Sequence, residues 1–184
     1  MTKIIFLDID GVLNCESSEA YMKHPFYENI KYVGIDEDKL QNLKYIVDKT
    51  NAIIYLTSTW KERWYKTQKN LQDNFGNEID KRFNAIGLTV TNRTYDSFKS
   101  GRGEGINHVL TTFDKVIDGW VILDDEFFPD FNEYNLTNHF IQTSWYGDGL
   151  TKEKADLAIK VLNNEIQMEN LQGYDDWSNH HGKR

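Results

Sequence analysis

Ile4-Ile5-Phe6-Leu7-Asp8-Ile9-Asp10-Gly11 is the stretch from which the rest of the chain reads. An unbroken apolar run is what a strand buried on both faces requires, and this one ends in two acids. Residues two apart on an extended strand project from the same side, so Asp8 and Asp10 point into one small volume at the strand's carboxyl end. Two anions so close need a cation. Gly11 takes positive φ without steric cost, which lets the chain turn away as soon as the acids are in place. An Asp dyad at a strand tip is a candidate for magnesium and phosphate chemistry; the plainer readings are a calcium loop or a polar turn. A helix-loop-helix calcium loop counted from Asp8 needs glycine at position six, where Leu13 stands, although Glu19 does fall at position twelve.

Two further apolar runs end in oxygen-bearing residues. Ile53-Ile54-Tyr55-Leu56 leads to Thr57-Ser58-Thr59, and Trp120-Val121-Ile122-Leu123 leads to Asp124-Asp125. Between the runs lie segments with helical character: 36–49, with Leu40, Leu43, Ile46 and Val47 in phase; 61–75; and 104–113, with Ile106, Val109 and Leu110. Strands are expected near 85–90 and 139–142, and a closing helix over 151–164. Strands alternating with helices imply right-handed crossovers and an α/β fold, a Rossmann-like three-layer open sheet that is mainly parallel. Sites in such sheets gather beyond the strands' carboxyl ends, where all three polar termini would meet.

The stretch 14–35 is too long for an ordinary connection and carries Tyr21, Phe26, Tyr27 and Tyr32, so it reads as a small cap inserted after the first strand. One domain over 1–166 and a polar tail over 167–184 account for the chain. His180-His181 in that tail reads as solvated rather than metal-binding.

With 184 residues the chain has material for one well-buried core. A net charge of -8 speaks against wrapping long nucleic acid or coating an anionic membrane, though a short phosphorylated end remains an acceptable partner. No apolar segment approaches the ~20 residues needed to cross a bilayer, and the start shows no signal-peptide pattern, so a soluble, cytoplasmic protein is expected. Cys15, the one cysteine, has no identifiable base beside it and reads as a free thiol.

The constellation resembles the haloacid dehalogenase superfamily of phosphohydrolases. Its first motif is matched by Asp8-Ile9-Asp10-Gly11-Val12-Leu13-Asn14, its second by Thr57 and its fourth by Asp124-Asp125. The third, a single basic residue, is either Lys99 or Arg102. Gly101-Arg102-Gly103-Glu104-Gly105-Ile106, followed later by Leu-Asp-Asp, also resembles the subgroup found in multidomain RNA-repair proteins.

The resemblance implies a phosphatase working through an aspartyl-phosphate, with Asp8 as nucleophile and Asp10 as acid and then base. It implies Mg2+ held by Asp8, the Asp10 backbone carbonyl, Asp124 and Asp125. Thr57, or Ser58 if the register differs by one, would hold phosphoryl oxygens, although helix capping is the plainer role for Thr57-Ser58-Thr59. Lys99 is the preferred catalytic cation and Arg102 the residue that orients it or touches substrate. The substrate would be a phosphorylated small molecule, a nucleotide or a nucleic-acid terminus. A phosphotransferase or phosphomutase, or a non-catalytic phosphate-binding module, is the alternative. The glycines at 101, 103 and 105 read as a flexible loop into a helix, since no strand precedes them. Trp60 to Lys66 reads as an amphipathic helix burying Trp and exposing Lys, with base stacking as the sharper alternative. Asp130 is either an outer acid of the metal site or a loop residue beside Pro129.

Overall fold

Alternation along the first strand, β1 (Thr2–Leu7), divides the interior in two. Ile5 and Leu7 enter one apolar cluster with Leu40, Leu43, Ile46, Ala155, Ala158 and Val161. Ile4 and Phe6 enter a second with Ile106, Val109, Phe131 and Phe140. Each set is buried, so the sheet is covered on both faces. The computed structural model describes residues 1–23, 29, 31–95 and 101–168.

In chain order β1 is followed by a short hairpin, β2 (Tyr21–Lys23) and β3 (Lys31–Val33), paired antiparallel. Then come α1 (Glu37–Thr50), β4 (Ile53–Leu56), α2 (Asn74–Ala85), β5 (Val90–Arg93) and α3 (Gly103–Thr112). The chain continues through β6 (Ile117–Asp124), the single turn α4 (Asp130–Glu133), β7 (Phe140–Gln142) and α5 (Lys152–Leu162). The main sheet runs in the order β5-β4-β1-β6-β7, and every pairing in it is parallel. This is the expected Rossmann-like α/β sheet. Strand order reverses at β1, which has β4 on one side and β6 on the other, and that is where a site belongs.

Two expected elements differ. The helix expected over 61–75 is a 3-10 turn, Thr59–Arg63, another at Lys69–Leu71, and then α2 beginning at Asn74. The side chain of Asp73 accepts from Phe75 N at 2.9 Å and starts that helix, whose apolar side is Phe75, Ile79 and Phe83. The strand expected at 85–90 begins only at Val90, because Leu88 N donates back to Phe83 O at 2.9 Å and Gly87, at φ +77°, closes the helix. Among the described residues no helix is long and apolar enough to cross a membrane. Phe26, Tyr27, Lys99 and all but the first two residues of the 167–184 tail lie outside the described residues.

Candidate active site

Register brings the polar strand ends together. Leu7 of β1 is level with Leu56 of β4 and with Leu123 of β6, so the residues that follow, Asp8, Thr57 and Asp124, stand side by side. Backbone bonds carry the ladder one step past the strands: Asp8 N donates to Leu123 O at 2.9 Å and Thr57 N to Leu7 O at 2.8 Å. All three residues are buried. Gly11 adopts φ +69°, and a Cβ there would run into the side chain of Asp125, so this turn needs glycine on both counts.

Carboxylate oxygens of Asp8, Asp124 and Asp125 lie within 4.8 Å of one another. Arg102, at the start of α3 and stacked 4.9 Å over the Phe128 ring, enters this group with Nη1 2.9 Å from Asp8 Oδ1 and 2.5 Å from Asp124 Oδ2. Burial works against the guanidinium charge, but Asp124 and Asp8 outweigh it and hold Arg102 above its ordinary range. Burial also pushes the Asp124 carboxyl up, against the pull of Arg102, and pushes Asp125 up with help from the charges of Asp8 and Asp124. Three acids facing one guanidinium leave negative charge uncompensated in a buried place. An all-oxygen donor set with surplus negative charge suits a hard divalent cation such as Mg2+.

The Asp10 carboxylate is not part of that cluster; Oδ1 accepts from Asn14 Nδ2 at 3.0 Å and Oδ2 from Trp60 Nε1 at 2.9 Å. Burial and the neighbouring Asp8 raise its proton affinity, opposed by those two donors. The Asp10 carboxylate is thus held by donors of its own, apart from the three acids that could share an ion.

Of Thr57 and Ser58, the cap is made by Ser58. Ser58 Oγ accepts from Trp60 N at 3.3 Å and caps the 3-10 turn. Thr57 Oγ1 is buried and has no hydrogen-bond partner among the described residues, a costly state unless something in the cleft completes it. Lys61, expected on a solvated helix face, is buried and donates to Thr94 Oγ1 and Tyr95 O, both at 3.2 Å; Trp60 and Trp64 are buried as expected. Asp130 is neither a metal neighbour nor a bare loop residue. Its Oδ2 accepts from Glu104 N at 3.1 Å, tying down the start of α3 one residue past Gly103.

A cleft of about 820 Å³ opens above Asp8, Asp10, Arg102 and Asp125; Lys31 and Tyr32 of the hairpin line it, with Arg63 and Trp145. It is large enough for a nucleotide-sized ligand. The sequence model of the family described as HAD domain in Swiss Army Knife RNA repair proteins matches residues 4–155. No curated protein and no solved structure matches the chain.

Proposed function

The chain belongs to the HAD domains of Swiss Army Knife RNA repair proteins, and from that premise we propose that it is a magnesium-dependent phosphatase hydrolysing phosphomonoesters through an aspartyl-phosphate. The observation that carries the reading is the meeting of Asp8, Asp124 and Asp125 within 4.8 Å, with Arg102 on Asp8 and with Asp10 and Thr57 beside it. Asp8 attacks phosphorus, splitting one difficult displacement into two easier ones. Asp10 gives a proton to the departing oxygen and later takes one from the incoming water. Arg102 faces the transferring group and balances charge on its equatorial oxygens, the part expected of Lys99 or Arg102. The Thr57 hydroxyl and the N–H groups after it receive phosphoryl oxygens, which would complete the buried Oγ1. Asp8, Asp124 and Asp125, with the Asp10 backbone carbonyl, would hold the ion, which when bound offsets the repulsion between Asp8 and the phosphate dianion.

The substrate we assign is a phosphorylated small molecule, a nucleotide or a nucleic-acid terminus, in keeping with the size of the cleft and its aromatic and basic lining. The test is phosphate release with magnesium from p-nitrophenyl phosphate, sugar phosphates, nucleotides and oligonucleotides carrying 3'- or 5'-phosphates. Activity lost in Asp8→Asn and with chelator supports the reading; release that persists in Asp8→Asn overturns it.

A further inference from the structure

Trp60 sits in this cleft without a part in the chemistry just described. Its ring is buried, 4 % exposed, yet Nε1 reaches fifty positions back along the chain to donate to Asp10 Oδ2 at 2.9 Å. The other oxygen accepts from Asn14 Nδ2 at 3.0 Å. Asn14 is fixed in its turn, because its Oδ1 accepts from Gly11 N and its Nδ2 also donates to Gly34 O, both at 3.0 Å. Two N–H donors on two different oxygens fix the plane of the Asp10 carboxyl and leave it lone pairs with which to carry a proton.

The indole is itself held. Ser58 Oγ accepts from Trp60 N, and the ring stands on edge against Phe75 with centroids 4.8 Å apart at 87°. Phe75 packs in turn on Tyr32 of β3, centroids 5.1 Å apart. A Trp side chain has two χ angles, so once its faces are packed its N–H points one way only. An acid that must meet a leaving oxygen within hydrogen-bond reach gains from such a fixed partner, since misplacement of about 1 Å costs a large part of the rate.

We propose that Trp60 is a positioning residue that aims Asp10 at the leaving-group oxygen. This rests on the phosphatase reading. In the first step the Asp8 Oδ–P bond forms as the bond from phosphorus to the leaving oxygen breaks; that oxygen keeps the bonding pair and takes the proton of Asp10. In the second, water oxygen bonds to phosphorus, the Asp8 Oδ–P bond breaks and Asp10 takes the water's proton. Trp60 acts on both through the direction of the carboxyl alone.

Leaving groups differ in their need for that proton, and this separates aim from general packing. Trp60→Phe keeps a ring against Phe75 and removes the N–H. With magnesium, its kcat on a simple alkyl phosphate is expected to fall about tenfold or more, part of the roughly 10²–10⁴ that acid-base catalysis supplies. On 2,4-dinitrophenyl phosphate, whose leaving group needs no proton, the loss shrinks to about threefold or less. In an Asp10→Asn background Trp60→Phe adds little to either loss. Equal losses along the ester series, or a full further loss in the Asp10→Asn background, overturn the proposal while leaving the phosphatase reading intact. A wild-type protein that hydrolyses no ester beyond the Asp8→Asn blank overturns both. Should Trp60→Phe fail to fold, the 15N–1H indole signal assigned to Trp60 reads the bond without turnover: Asp10→Ala must move it, and an unmoved signal sinks the idea.

Discussion

Arg102 places a single guanidinium nitrogen 2.9 Å from Asp8 Oδ1, on the carboxylate proposed to attack phosphorus. The same nitrogen is 2.5 Å from Asp124, so one cation ties the first acidic strand end to the last. Arg102→Gln is expected to lower kcat about 10²–10³-fold, the range for losing a charge aimed at the transition state. Arg102→Lys recovers part of it, a point charge standing in for the fork. Lys99→Gln, assayed beside them, must lose less if Arg102 is the facing cation. Arg102→Gln also leaves Asp8 and Asp124 without their buried counter-charge, a change that costs roughly 3–5 kcal/mol when one partner of a buried pair is removed. Its melting temperature therefore drops more in chelator than in magnesium.

Thr57 separates function from stability more cleanly. Its Oγ1 is buried without a partner among the described residues, so Thr57→Val removes a hydroxyl that makes no hydrogen bond there, and the valine fills nearly the same space. Denaturant midpoints of Thr57→Val should equal or exceed those of the wild type. Its kcat/KM for p-nitrophenyl phosphate should fall about tenfold, the value of one hydrogen bond to a charged group. A variant that loses stability and keeps activity would make Thr57 a structural residue.

The parts that sequence revealed and those it hid differ in range along the chain. β1, β4 and β6 are legible because buried parallel strands must be apolar throughout, and an acid or hydroxyl directly after such a run can only stand at the sheet's carboxyl edge. Asp8, Thr57 and Asp124 follow from that alone. Trp60 does not, since its bond to Asp10 spans fifty positions and its own neighbourhood looks like an ordinary amphipathic turn. The break of the expected 61–75 helix has a similar origin. Trp64 Nε1 donates to Asp80 Oδ1 at 2.9 Å and Lys61 is drawn into the interior by Thr94 and Tyr95, tertiary bonds that outweigh local helix propensity. The start of α2 was readable in principle, from Asp73 followed by Phe75, Ile79 and Phe83 at helical spacing.

His139 gives the fold a pH dependence independent of the acids. Its Nδ1 lies 2.9 Å from Trp120 O and its ring stacks on Trp120 with centroids 3.8 Å apart. Burial lowers its proton affinity, against the pull of that carbonyl. The folded state therefore binds its proton less readily than the unfolded chain, whose histidine titrates near ~6.5. The resulting stability is present above that value and is lost as pH falls below it, through the folded-state value. Urea midpoints measured at pH 7.5 and 5.5 should fall more steeply for the wild type than for His139→Gln; equal slopes would remove His139 from the account.

Asp130 and Gly103 together set where Arg102 stands. The Asp130 carboxylate accepts from Glu104 N at 3.1 Å, filling a donor that the start of α3 would otherwise leave bare. The approach is close: a Cβ on Gly103 would meet Asp130 Cγ and Asp130 O, each at 2.9 Å, and one on Gly101 would run into the same carboxylate. The glycines flanking Arg102 thus let α4 and the start of α3 touch. Asp130→Ala should cost about 1 kcal/mol as a lost cap, and Gly103→Ala must push α3 away from α4. Both displace Arg102 from Asp8, so both should lower kcat while leaving the Asp8, Asp124 and Asp125 donor set to bind metal, read by Mn2+ titration. Asp130→Asn, which keeps an oxygen acceptor, should retain most of the activity. Full activity in Gly103→Ala would show that the cation does not depend on this contact.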